Sequence, residues 1–138
     1  MRVLAAVLAT AAWLSAGACG PQGPTEQALY GTWRGDQAGQ RITFNFQSDR
    51  RCELRFEDTK TGEVTVWRGK FETNFSKSPV PLSIRNIPEL EYSLHTVVRF
   101  ESDGHLIVAP FAPRWRLRAI AFDPERSMRL ARARDGKS

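Results

Sequence analysis

Between residues 41 and 56 the chain changes polarity at nearly every step. In Arg41-Ile42-Thr43-Phe44-Asn45-Phe46 the apolar side chains fall on Ile42, Phe44 and Phe46, and Arg51-Cys52-Glu53-Leu54-Arg55-Phe56 repeats the pattern with Cys52, Leu54 and Phe56. A period of two is the signature of a strand with one buried face. Gln47-Ser48-Asp49-Arg50 between the two runs has turn chemistry. A third run follows the turn Thr59-Lys60-Thr61-Gly62, with Thr65, Trp67, Phe71, Thr73 and Phe75 on one side. Gly69 interrupts that face, which predicts a bend where the sheet turns a corner.

The rhythm continues to the C-terminal end. Ser78-Pro79-Val80-Pro81 breaks pairing before a short strand at Leu82 to Ile87, and alternation resumes through Leu90, Tyr92, Leu94, Thr96, Val98 and Phe100. Ser102-Asp103-Gly104 is a hairpin signal into His105 to Phe111. Arg114 to Phe122 and Ser127 to Ala133 read as the last strands, joined at Asp123 to Arg126. Only Thr25 to Tyr30 reads as a short helical turn, with Thr25 as its cap. Eight or nine short strands with hairpin connections predict an all-β domain, either a sandwich or, the fold expected here, a small antiparallel up-and-down barrel. Closing the sheet removes the edges that invite aggregation.

The N-terminal residues have another character. Arg2 precedes an apolar run from Val3 to Leu14, and Ala16-Gly17-Ala18 supplies the small side chains of a cleavage site. This is the layout of an export signal, and its dozen apolar residues fall short of the ~20 that span a bilayer. The expected division is a signal peptide at 1–18, a flexible tether at 19–28, a domain at 29–133 and a frayed tail at 134–138. Cys19 and Cys52 are the only cysteines. In an exported protein they could form one bridge, or Cys19 could have a separate fate and leave Cys52 a lone buried thiol.

Small residues before a Cys directly after an apolar run resemble the lipobox of bacterial lipoproteins, although Ala16 stands where Leu is commoner. The resemblance implies that Cys19 receives a diacylglyceryl group and a further acyl chain such as palmitate. It implies cleavage after Ala18 and, in a Gram-negative cell, anchoring in the outer membrane facing the periplasm. A second resemblance rests on Gly31-Thr32-Trp33 at the start of the first strand, after the short helical turn. This resembles the Gly-x-Trp opening of lipocalins and related calycin barrels. In that family the Trp plugs one end of the barrel and a late-strand Arg packs across it. Trp33 maps onto the plug, with Arg116, Arg118, Arg129 and Arg132 as candidate partners.

Signals for catalysis are sparse. His95 and His105 are the only histidines, each without a Cys or carboxylate at ligand spacing, so no metal site and no cofactor is expected. No G-x-S-x-G, H-E-x-x-H, Walker or G-x-G-x-x-G stretch occurs. Glu57, Asp58, Glu89 and Glu91 read as solvated strand-end charges. The chain is expected to be a binding or interaction module and not an enzyme.

Charge is unevenly placed. From Arg114 onward seven Arg and one Lys face three acids, whereas residues 19–113 hold eleven basic and twelve acidic groups. Arg114, Arg116, Arg118, Arg129 and Arg132 are therefore candidate contacts for an anionic surface next to the anchor; an exported protein is not expected to meet nucleic acid. Phe44, Phe46, Phe56, Trp67, Phe71 and Phe100 share the inward face. They predict either a filled barrel that engages another envelope protein through its outer surface, or a cup lined for a small apolar, amphiphilic or anionic ligand.

Overall fold

The computed structural model describes residues 24–134. After a 3-10 turn at Glu26–Leu29 come β1 (Gly31–Gln37), β2 (Gln40–Phe46), β3 (Arg51–Asp58) and β4 (Val64–Thr73). Then follow β5 (Val80–Arg85), β6 (Leu94–Phe100), β7 (Leu106–Val108) and β8 (Met128–Arg132). Each strand pairs antiparallel with the next, and β8 returns to β1, so the sheet is a closed eight-stranded up-and-down barrel. All eight strands find their partners within this stretch, which therefore folds as a unit. Cys19 and Ala16-Gly17-Ala18 lie outside the described residues.

The register sets the two ends. Trp33 pairs with Phe44 on β2 and with Arg132 on β8, and Phe46 pairs with Gly31 and with Cys52. The start of β1 thus shares one end with the finish of β2, β4, β6 and β8. At the opposite end Gln40 pairs with Asp58, and Phe56 pairs with Thr65. Inward positions follow the alternation: Ile42, Phe44, Phe46, Cys52, Leu54, Phe71, Leu82, Ile84, Val98, Leu106 and Leu130 are buried. Edge-to-face rings tie them together, Phe46 to Phe71 at 5.1 Å and Phe44 to Phe56 at 5.8 Å between centroids.

Gly69 marks a corner. β4 pairs with β3 from Val64 to Lys70 and with β5 from Lys70 to Thr73, so the strand changes partner beside this glycine. A Cβ there would meet the Arg85 carbonyl oxygen at 2.6 Å and Ile87 Cγ1 at 2.9 Å. The backbone of β5 can approach only because no side chain intervenes.

Four expectations need correction. Val80 and Pro81 do not break pairing but open β5, opposite Val98 and Val97 on β6. Arg114 to Phe122 is not a strand: it holds a 3-10 turn at Trp115–Leu117 and continues irregularly. β7 already pairs with β8 through Leu106 and Leu130, so no open edge remains for a ninth strand. Pro113 before the segment also lacks a donor for a ladder. Alternation from Leu90 becomes a strand only at Leu94, with Pro88 and Glu89 in a turn and Glu91 and Tyr92 in a bend. Thr25 precedes the first 3-10 turn without capping it through its side chain.

The segment between β7 and β8 explains a further feature. His95, Val97 and Ile107 point outward by alternation yet are buried. The 3-10 turn at Trp115–Leu117 packs beside β6, and Phe122 shares a pocket with Ile107 and Arg99, so the segment lies over the outer wall. The Arg99 guanidinium sits 4.5 Å from the Phe122 ring centroid.

Candidate functional site

One end of the barrel is plugged. Trp33 is buried, and its Nε1–H donates to the Leu29 carbonyl at 2.9 Å. The Arg132 guanidinium lies 4.3 Å from the Trp33 ring centroid. It donates through Nη1 to the Tyr30 carbonyl at 2.6 Å and through Nη2 to the Ala28 carbonyl. Of the four arginines considered for that place, topology selects Arg132, because β8 runs beside β1 in a register that sets it opposite Trp33. Gly31 makes room: its φ is +120°, and a Cβ would meet Arg132 Nη1 at 2.7 Å.

The 3-10 turn over the plug is strapped down by Glu26. Tyr30 Oη and Thr73 Oγ1 each donate to its carboxylate at 2.8 Å, and Arg50 Nε lies 3.3 Å away. Burial alone would raise the Glu26 pKa, but these hydrogen bonds and the Arg50 charge outweigh it and hold the carboxyl below its ordinary value.

The other end is open. A cavity of about 400 Å³ is lined by Gln40, Phe56, Thr65, Trp67, Tyr92, Leu94, Phe111 and Pro113. Phe44, fully buried, packs behind two of these rings, with Phe56 at 5.8 Å and Phe111 at 6.0 Å between ring centroids. Phe56 and Trp67 meet edge to face at 5.4 Å on one wall. Filled or cupped therefore has a divided answer. Rings pack around Trp33, a cavity of about 310 Å³ bounded by Phe75, Val80, Val98 and Phe100 lies at the rim of that end, and a shallow aromatic cup occupies the other. Gln40, Thr65, the Tyr92 hydroxyl and the Trp67 indole N–H are the polar groups among the lining residues, able to orient a ligand without charge.

Period-two alternation places Thr65, Trp67, Tyr92 and Leu94 on the inward face. It does not show that they lie at the same end as Gln40 and Phe111, because that depends on register across five strands.

The remaining candidates lie elsewhere. Cys52 is a free, buried thiol beside Phe46, and desolvation pushes its pKa up to about 12 despite a hydrogen bond with the Gly69 backbone. Such a thiol is a small hydrophobe and not a nucleophile. Arg129 is held by Glu101 at 3.2 Å and Asp103 at 2.6 Å. His105 Nδ1 sits 3.0 Å from Asp103. Among the described residues no group of three or more His, Cys, Asp or Glu is gathered as a metal site.

His95 is on the outer wall with its Nδ1 2.8 Å from Ser83 Oγ, both residues buried. Burial, and then the Arg118 and Arg85 charges, hold its pKa below the ordinary histidine value near 6.5. The folded protein thus takes up this proton less readily than the unfolded chain. Stability from His95 is present above about pH 6.5 and declines as pH falls below that value. His95→Gln is expected to lose less thermal stability than the parent between about pH 7.5 and pH 5. Parallel melting curves for the two proteins across that range would refute this assignment.

No protein-family model, curated protein or solved structure matches this chain.

Proposed function

We propose that this is a lipid-anchored bacterial envelope protein whose lipocalin-like barrel binds a small apolar or amphiphilic ligand without catalysis. The observation that carries the binding reading is the open aromatic cup opposite the Trp33 plug, about 400 Å³ and bordered by Phe56, Trp67, Tyr92, Leu94 and Phe111. That volume lies within the range of small-molecule sites, and an apolar lining with few polar groups is what such sites use. A closed barrel with Trp33 under a late-strand arginine supports the calycin resemblance. The anchor rests on Leu14 to Cys19, and the outer membrane facing the periplasm is the location it implies.

The cup is tested by titrating the domain with a fluorescent medium-chain fatty acid. Saturable binding is expected, weakened at least tenfold by Trp67→Glu, which places a charge among the rings. Equal binding by both proteins, or none by either, contradicts the cup. The anchor is tested by mass spectrometry of the processed N-terminal peptide: an acylated Cys19 is expected, and a bare thiol or a Cys19–Cys52 bridge contradicts it. The rival reading, an outer surface that engages another envelope protein, is favoured by exposed Trp115, Leu117 and Ile120.

A further inference from the structure

The segment that leaves the cup at Pro113 has an unusual surface. Trp115 and Leu117 are each 62% exposed and Ile120 is 87% exposed, three large apolar side chains within six residues. Arg114, Arg116 and Arg118 alternate with them, and the next acid after the segment is Asp123. Arg129 and Arg132, by contrast, have partners inside the fold: Glu101 and Asp103 for one, Trp33 and two backbone carbonyls for the other.

Among the described residues, Arg114, Arg116 and Arg118 form no ion pair, and Arg118 Nε is buried without a hydrogen-bond partner. The nearby Glu72 is already held by Arg85 at 2.8 Å. The Arg116 guanidinium instead lies 5.6 Å from the Trp115 ring centroid. Arg114 and Arg116 therefore lie exposed with their charge unanswered, beside apolar groups that water solvates poorly, while Arg118 is half-buried against the wall.

We propose that the segment from Arg114 to Ile120 docks the barrel on an anionic lipid surface. Each half of the pattern has a partner there. Phosphate headgroups answer the guanidinium charges, an indole sits well at the boundary between headgroup and acyl chain, and Leu and Ile enter the first part of the acyl region. The charge is of one sign and carried on a short loop, so a fluid anionic surface suffices and no shaped protein pocket is needed. Pro113 lines both the cup and the groove that contains Trp115. Docking would therefore bring the open end of the barrel to the place where an amphiphile leaves a bilayer. The inference goes beyond ligand binding and does not depend on Cys19.

The test uses residues 20–138, which lack both the Cys19 thiol and the apolar leader and contain the whole self-paired barrel. Vesicles of about three parts phosphatidylcholine to one part phosphatidylglycerol are compared with pure phosphatidylcholine in a sedimentation assay. Binding is expected to the anionic vesicles, with weakening by added salt. Arg114→Ala combined with Arg116→Ala should weaken it roughly thirtyfold, the effect of two basic side chains at a charged surface. Trp115→Ala with Ile120→Ala should also weaken it, and in the parent Trp115 fluorescence should shift to the blue. All four residues are exposed, so unchanged unfolding curves establish that the variants are folded. Equal binding by parent and variants, equal binding to neutral vesicles, or no binding to anionic vesicles would overturn the proposal. Such a result would leave the fatty-acid titration of the cup unaffected.

Discussion

Replacing Trp33 with alanine is expected to lower the unfolding free energy by about 3–5 kcal/mol, the range for deleting a large buried aromatic ring. The ring is 1% exposed and is enclosed by Leu29, Phe100 and the Arg132 guanidinium. Its removal opens a void, strips the Leu29 carbonyl of its indole donor and takes away the face on which the cation rests. A domain of this size has only about 5–15 kcal/mol in total, so the loss should be plain in a urea titration. Arg132→Ala should cost less, about 1–2 kcal/mol, because the guanidinium is partly solvated and its attraction to the ring is correspondingly modest. A Trp33→Ala loss below about 1 kcal/mol would mean that the ring does not plug the barrel.

Phe44→Ala tests the boundary between packed half and cup. Phe44 is fully buried against Phe46, Phe56 and Phe111. Truncation should therefore cost about 3–5 kcal/mol, as at Trp33. The consequences at the two positions differ, however. The void at Phe44 lies against Phe56 and Phe111, which line the cavity, so with small ring movements an apolar ligand can fill space that the ring vacated. A ligand that binds only the folded state stabilises it by about 2.7 kcal/mol at a hundred times its dissociation constant. A medium-chain fatty acid should thus raise the melting temperature of Phe44→Ala by more than it raises that of Trp33→Ala. The same shift in both variants would place the ligand away from the cup.

The alternation in β2 and β3 is legible residue by residue, because each strand has one wet and one dry face. Ile42, Phe44, Phe46, Cys52 and Leu54 are all buried. Trp33 is legible by its place at the start of the first strand, in Gly31-Thr32-Trp33. Its partner is not, since four of the arginines near the C-terminal end are candidates and only closure of β8 on β1 brings one of them opposite. The cup was half visible. Shared parity puts Phe44, Phe56 and Trp67 on one face, but depth along the barrel axis follows from register, which a single strand does not encode.

Arg114 to Phe122 misleads for a physical reason. Arg-Trp-Arg-Leu-Arg has the alternation of a strand, and alternation reports two environments without saying which two. In β2 they are core and water. Here both kinds of side chain face outward, Trp115 and Leu117 included, and the sheet is already closed without them. His95, Val97 and Ile107 show the converse: outward parity, yet buried, because this same segment covers the wall.

The division of the barrel into a plugged end and a receptive end is tested most directly by following side-chain NMR signals during titration with a medium-chain fatty acid. The account predicts large shifts for the Trp67 indole, the Thr65 and Leu94 methyls and the Phe111 ring, while the Trp33 indole N–H stays in place. Shifts centred on Trp33, Val80 and Val98, or no change at either end, would contradict it.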